Sequence, residues 1–98
     1  MICFSDSLAA DVLRAAADVG LRVPAELSVV GFDDSSLALR LAPPLTTVAQ
    51  DVVAKGALAA EELIKAVRRR RSGEPERVRH HLLPTELVVR QSTGPPPG

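Results

Sequence analysis

The chain has 98 residues, room for one small domain at most. It carries two Phe and neither Trp nor Tyr, so any core is built from Ala, Leu and Val. Twelve basic residues balance twelve acidic ones, which leaves no net field to draw nucleic acid or an anionic membrane, and no apolar run approaches the roughly 18 residues of a membrane span.

Ile2-Cys-Phe4 reads as the tail of a strand. Cys3 has no partner for an intrachain disulfide and suits a small core position, in keeping with a reducing cytosol. Asp6 and Asp11 interrupt any signal-peptide pattern. Ser5, Asp6 and Ser7 offer N-cap oxygens for a helix reaching about Val19, and Gly20 closes it. Leu8, Val12, Ala15, Ala16 and Val19 form one apolar stripe at helical spacing. Ala9, Ala10, Leu13 and Ala17 form a second, which predicts a second packing partner, a neighbouring subunit. Small side chains there are also compatible with solvent. Leu37, Ala38 and Leu41 of the next short helix are natural companions for that face.

Leu27-Ser-Val-Val-Gly-Phe-Asp-Asp34 is the stretch that organises the rest. Four of its first six residues are large and apolar, and turn residues bound it, as in a buried strand. Gly31 permits close approach of another backbone. Asp33 and Asp34 stand at the carboxyl end, the edge where ligands bind in open parallel α/β sheets. They also suit a turn and an N-cap for a helix over 35–41, and the two roles are compatible.

Pro43 and Pro44 end that helix, and Leu45 begins a strand reaching Val48. Asp51 caps the longest helix, which runs to about Arg71 with Val52, Gly56, Ala59, Ala60, Leu63 and Val67 on one face. Gly56 costs about 1 kcal/mol there against Ala, and close approach of another backbone would account for it. Arginines 68–71 read as a solvated helix C-terminus, since acidic residues flank them and no aromatics interleave. Residues 78–83 and 86–90 read as short strands around Pro84, and the end from Ser92 as a disordered tail. His80 and His81 are adjacent, so on a strand they face opposite ways, and no Cys/His set has metal-ligand spacing. P-loop, dinucleotide and nucleophile-elbow motifs are missing, and Ser5–Asp6 has no positioned base, so neither cofactor nor catalytic residues are predicted.

Five stretches, Ser5-Asp-Ser-Leu-Ala-Ala10, Gly20-Leu-Arg-Val-Pro24, Ser28-Val-Val-Gly-Phe-Asp-Asp34, Pro43-Pro-Leu-Thr-Thr-Val-Ala-Gln50 and Leu83-Pro-Thr-Glu-Leu-Val-Val-Arg-Gln-Ser-Thr93, together resemble the C-terminal part of the LacI/GalR family of bacterial regulators. The resemblance implies an incomplete α/β, parallel-sheet, three-layer lobe of a type I periplasmic-binding-protein-like sensor. Residues 1–48 and 77–93 would form the C-terminal lobe. Residues 49–76 would pack on the other lobe, and 94–98 would be the disordered tail. The remainder of the second lobe, the hinge and the helix-turn-helix are absent from these residues, and Ile2 begins mid-fold, as in a fragment.

The resemblance also assigns roles. Asp33 stands for the family carboxylate that accepts hydrogen bonds from effector hydroxyls, which suits a sugar or ribose. Ser5 stands where relatives carry an effector-touching Asn, and Gln50 lies at a lobe crossover near the cleft. Ala9, Leu13, Leu37 and Leu41 match a homodimer seam. The implied function is sensing of a small sugar-like effector by a cytoplasmic, DNA-binding regulator, with operator DNA bound only through the absent domain. A fragment of a periplasmic sugar-binding transport protein is the alternative, and a helix-turn-helix or a signal peptide upstream would separate them. An enzyme or phospho-receiver built on Asp33, Asp34, Thr46 or Thr47 and Lys55 is disfavoured, because Lys55 lies inside a predicted helix and no further acid stands at another strand end.

Overall fold

The computed structural model describes residues 1–97. They form α1 (Asp6–Asp18), β1 (Val30–Asp33), α2 (Ser36–Arg40), β2 (Thr46–Gln50), α3 (Val52–Arg71) and β3 (Thr85–Val88). The chain divides into two compact units, one from Met1–Gln50 with the segment from Thr85 on, the other Asp51–Pro84. The return to the first unit falls at Thr85.

The first unit is built on a three-stranded sheet in the order β1-β2-β3. β1 and β2 run parallel with Val30 opposite Thr46 and Asp33 opposite Ala49. β3 runs antiparallel to β2, with Val88 opposite Thr47 and Thr85 opposite Gln50, so the sheet is mixed rather than wholly parallel. Ile2 bridges to Val30 in parallel outside β1. The ladder of β1 is shorter than the expected 27–34 because Val29 is bonded elsewhere: its N–H donates to the Ser92 carbonyl at 2.9 Å. Its own carbonyl accepts from Ser92 Oγ at 2.6 Å.

The N-terminus of α1 forms as its sequence predicts. Ser5 is extended, and its Oγ accepts from Leu8 N at 3.1 Å. At the other end Gly20 has φ +76, the left-handed conformation of a helix C′ residue. The phase of the helix differs from the expectation. Asp6, Ala9, Leu13 and Ala16 are its buried residues, while Leu8 and Val19 are 48% and 79% exposed. Ala9 (0% exposed) and Leu13 (7%) belong to the chain's own core, with Cys3, Val29, Ala38 and Leu45. Both are covered within the chain itself, which leaves little of either to meet a second subunit. The physical reason is Asp6. Its carboxylate is drawn inward by three hydrogen bonds described below, and residues three, seven and ten positions on must then face the sheet. Apolar size alone favoured the other stripe. Leu37 is half-buried, and Leu41, also half-buried, packs against the core.

Gly31 lies where no side chain fits: a Cβ there would press on Asp6 Oδ1 and stand 2.7 Å from Leu45 Cδ2. The C-terminal segment is another correction. Ser92 is fully buried, its Oγ accepts from Thr46 N at 2.8 Å, and Gly94 N donates to Ser28 Oγ at 3.1 Å. Polar, proline-rich composition suggested a loose end from Ser92, but a small hydroxyl is what the gap between residues 29 and 46 accepts. Gly98, the last residue of the expected tail, lies outside the described residues.

The second unit is α3 and the segment after it. Asp51 Oδ1 accepts from Ala54 N at 2.9 Å, the expected N-cap. Ser72 Oγ donates to the carbonyls of Arg68 and Arg69, and Gly73 follows at φ +75. None of the residues of α3 is buried; Val53, Leu63 and Ile64 are 83%, 66% and 52% exposed. Nothing in the chain comes within 4 Å of a Cβ placed on Gly56, so the close approach expected there is not made by these residues. Residues 78–83, expected as a strand, have no regular structure and are exposed.

Candidate functional site

The parallel pairing of β1 with β2 brings two of the singled-out residues to one edge. Asp33 ends β1 and Gln50 ends β2. Gln50 Nε2 donates to Asp33 Oδ1 at 2.7 Å. Asp33 is half-buried, so its carboxylate is neither sealed in the core nor freely solvated. A carboxylate has acceptor capacity well beyond one such bond.

The backbone here is strained. Asp33 has φ +115 and Asp34 φ +54. Asp tolerates the second value, whereas the first is a region that side chains rarely enter, at a cost of order 1–3 kcal/mol. Such conformations persist only where their surroundings hold them. Asp34 N donates to Thr47 Oγ1 at 3.3 Å. Ser35 N and Ser35 Oγ both donate to Asp6 Oδ2, at 2.7 and 3.1 Å. Thr47 Oγ1 donates to Asp6 Oδ1 at 2.6 Å. Asp6, only 2% exposed, thus joins the first turn of α1, the middle of β2 and the turn after β1. From the C-terminal side, Arg90 Nη2 meets Asp34 Oδ1 at 2.7 Å, while Arg90 Nη1 donates to the Leu45 carbonyl at 2.9 Å.

Ser5 is placed differently. Its hydroxyl caps α1, and no hydrogen bond joins it to Asp33 among the described residues. Asp6 and Arg90 were not singled out from the sequence. Two sequence features adjoin them: a capping Ser directly before Asp6, and Leu87-Val-Val89 directly before Arg90. Elsewhere, His81 Nε2 stands 3.7 Å from Glu62 in the second unit. A cleft of about 290 Å³ in that unit, lined by Leu63, Val67, Arg69, Arg70 and Val78 among others, contains none of the predicted ligand residues.

Residues 1–93 match the periplasmic binding protein-like domain. The chain belongs to that family. Over its full length it is 43% identical to the HTH-type transcriptional regulator MalR of Streptomyces coelicolor, covering 27% of that protein. It is 42% identical to DegA of Bacillus subtilis, covering 97% of this chain and 27% of DegA. Among solved structures, the Lac repressor dimer bound to operator and the anti-inducer ONPF superposes with a TM-score of 0.76 at 35% identity, over 95% of this chain and 31% of that one. A LacI family regulator from Enterococcus faecium with bound ribose gives 0.75 at 29% identity, over 96% and 34%. The relatives are transcriptional regulators rather than enzymes, and the LacI-type resemblance carried by the five motifs holds. The chain spans about a quarter to a third of the proteins it matches, so it corresponds to part of their sensor region.

Proposed function

We propose that this chain is the effector-sensing part of a LacI-family transcriptional regulator, and that Asp33 accepts hydrogen bonds from hydroxyls of a sugar. The observation that carries this is the half-buried carboxylate at a parallel strand's carboxyl end, on a backbone strained at φ +115 and steadied by Gln50. Strain at such an edge is a sign of a site rather than of packing. The bound ribose of the E. faecium regulator and the bound sucrose of a Lactobacillus casei one favour a sugar as the ligand class.

In this reading Gln50 both holds Asp33 and sits at the edge of the cleft, and Ser5 contributes only if its hydroxyl reaches the ligand while capping α1. Residues 51–84 belong with the opposing lobe, operator DNA is bound elsewhere in the whole protein, and the protein works in the cytoplasm without catalysis. A homodimer seam would draw on Leu37 and the exposed Leu8 and Val19, in place of Ala9 and Leu13.

The test is a chimera in which this chain replaces its matched segment of the S. coelicolor MalR. Ribose, sucrose and maltose are titrated by calorimetry into it and into its Asp33→Asn variant. Asn keeps the size and tolerates positive φ, so the fold is retained. Loss of the charged acceptor lowers affinity by about 1.5–3 kcal/mol, roughly 10- to 150-fold. Equal affinity in the two proteins would remove Asp33 from the site.

A further inference from the structure

Among the described residues the Asp33 side chain makes one hydrogen bond, to Gln50, yet its backbone needs firmer support than that. The support stands one residue on. Asp34 is the only residue of the strained pair that makes an ion pair, and its partner Arg90 lies 56 positions away, beyond the whole second unit. We propose that Arg90 is a positioning residue for the ligand site: by pinning Asp34 it keeps the adjacent Asp33 carboxylate in its positive-φ, ligand-ready conformation. The inference rests on the reading of Asp33 as the ligand carboxylate.

Four observations converge on it. First, Arg90 is itself fixed. Its N–H donates to Thr46 Oγ1 at 2.9 Å and its Nη1 to the Leu45 carbonyl at 2.9 Å, so the guanidinium is tied to the start of β2 before it reaches Asp34. Second, the pair is sheltered, with the Arg90 side chain 15% exposed and that of Asp34 29%, which strengthens it over a surface pair. Third, the contact falls on the turn where two consecutive residues have positive φ, not on the regular part of the sheet. Fourth, Thr46 Oγ1 also bonds Thr93 Oγ1 at 2.9 Å, so the C-terminal segment has a second attachment to β2 that does not involve Asp34. General stabilisation of the sheet and restraint of the turn are therefore separable by substitution.

The Asp6 network restrains the far side of the same turn through Ser35. With Arg90 removed, the turn keeps that anchor and loses the near one. Asp33 then relaxes toward the extended conformation of an ordinary strand end, and its carboxylate leaves the place that Gln50 marks.

Hydrogen exchange read by mass spectrometry tests this on the 98-residue chain at dilute concentration, without ligand. The proteins are the wild type, Asp34→Ala and Arg90→Gln. Asp34→Ala leaves the Arg90 bonds to Leu45 and Thr46 in place, so it reports on the turn even if Arg90→Gln unfolds. The expected result is exchange about tenfold faster or more at the amides of Asp34 and Ser35, with the β2 amides changed by less than about threefold. Unchanged exchange at Asp34 and Ser35 in Asp34→Ala overturns the proposal. So does uniform acceleration across β1 and β2 in Asp34→Ala, which would make the pair a general stabiliser. Because no sugar is involved, failure of the chimera to bind sugar would count against the sensing function and leave this result standing.

Discussion

A single methyl group is the difference between accommodation and collision at Gly31. The strand there packs so closely on Asp6 and Leu45 that a Cβ would overlap both. In the MalR chimera, Gly31→Ala is expected to cost about 2–3 kcal/mol in urea unfolding, the upper range for an overpacked core. Asp6→Ala should cost about as much for the opposite reason. It removes the acceptor of Ser35 N, Ser35 Oγ and Thr47 Oγ1, and leaves the fully buried Thr47 donor unmatched at about 1–3 kcal/mol. The need for glycine was legible in the sequence, since a glycine inside an apolar strand weakens it unless a neighbour must come close. The identity of what it makes room for was not, because Asp6 lies 25 positions earlier and only the tertiary fold joins them.

At the scale of elements, most boundaries followed from local chemistry: Ser5 and Asp51 as caps, Gly20 as a left-handed stop, the proline pair before β2. The phase of α1 did not. Its two apolar stripes are nearly equivalent in composition, and a polar residue decides between them. Leu13→Ala is therefore expected to cost about 2–3 kcal/mol, while Leu8→Ala, on the exposed stripe, stays within about 0.5 kcal/mol. The stripes alone would predict the reverse order. In α3, Gly56 meets nothing within 4 Å, so Gly56→Ala should raise helix stability in this chain by about 1 kcal/mol, read by circular dichroism on heating. The strand expected at 78–83 was lost for a related reason: a short stretch is a strand only when a neighbour supplies the hydrogen bonds, and none of the described strands lies beside it.

For the molecule as a whole, the imbalance between the two units is the main feature. The first has a continuous buried cluster and a polar network beneath its sheet edge, whereas α3 buries none of its residues and displays Val53, Leu63 and Ile64. An apolar helix face of that kind associates in water. The isolated chain is thus expected to be marginally stable and to self-associate with rising concentration in sedimentation velocity, and Leu63→Lys with Ile64→Glu should shift it toward monomer. A monodisperse wild-type monomer with one sharp, cooperative unfolding transition would contradict this. The candidate site belongs to the well-packed unit, which is why these residues form its geometry by themselves.

The proposed sensing role comes down to one carboxylate, and a crystal structure of the MalR chimera grown with its best-binding sugar tests it most directly. We predict an oxygen of Asp33 within about 2.5–3.0 Å of a sugar hydroxyl, the span of a hydroxyl–carboxylate hydrogen bond, with Gln50 still against the same carboxylate. A sugar seated in the cleft without touching Asp33 would contradict it.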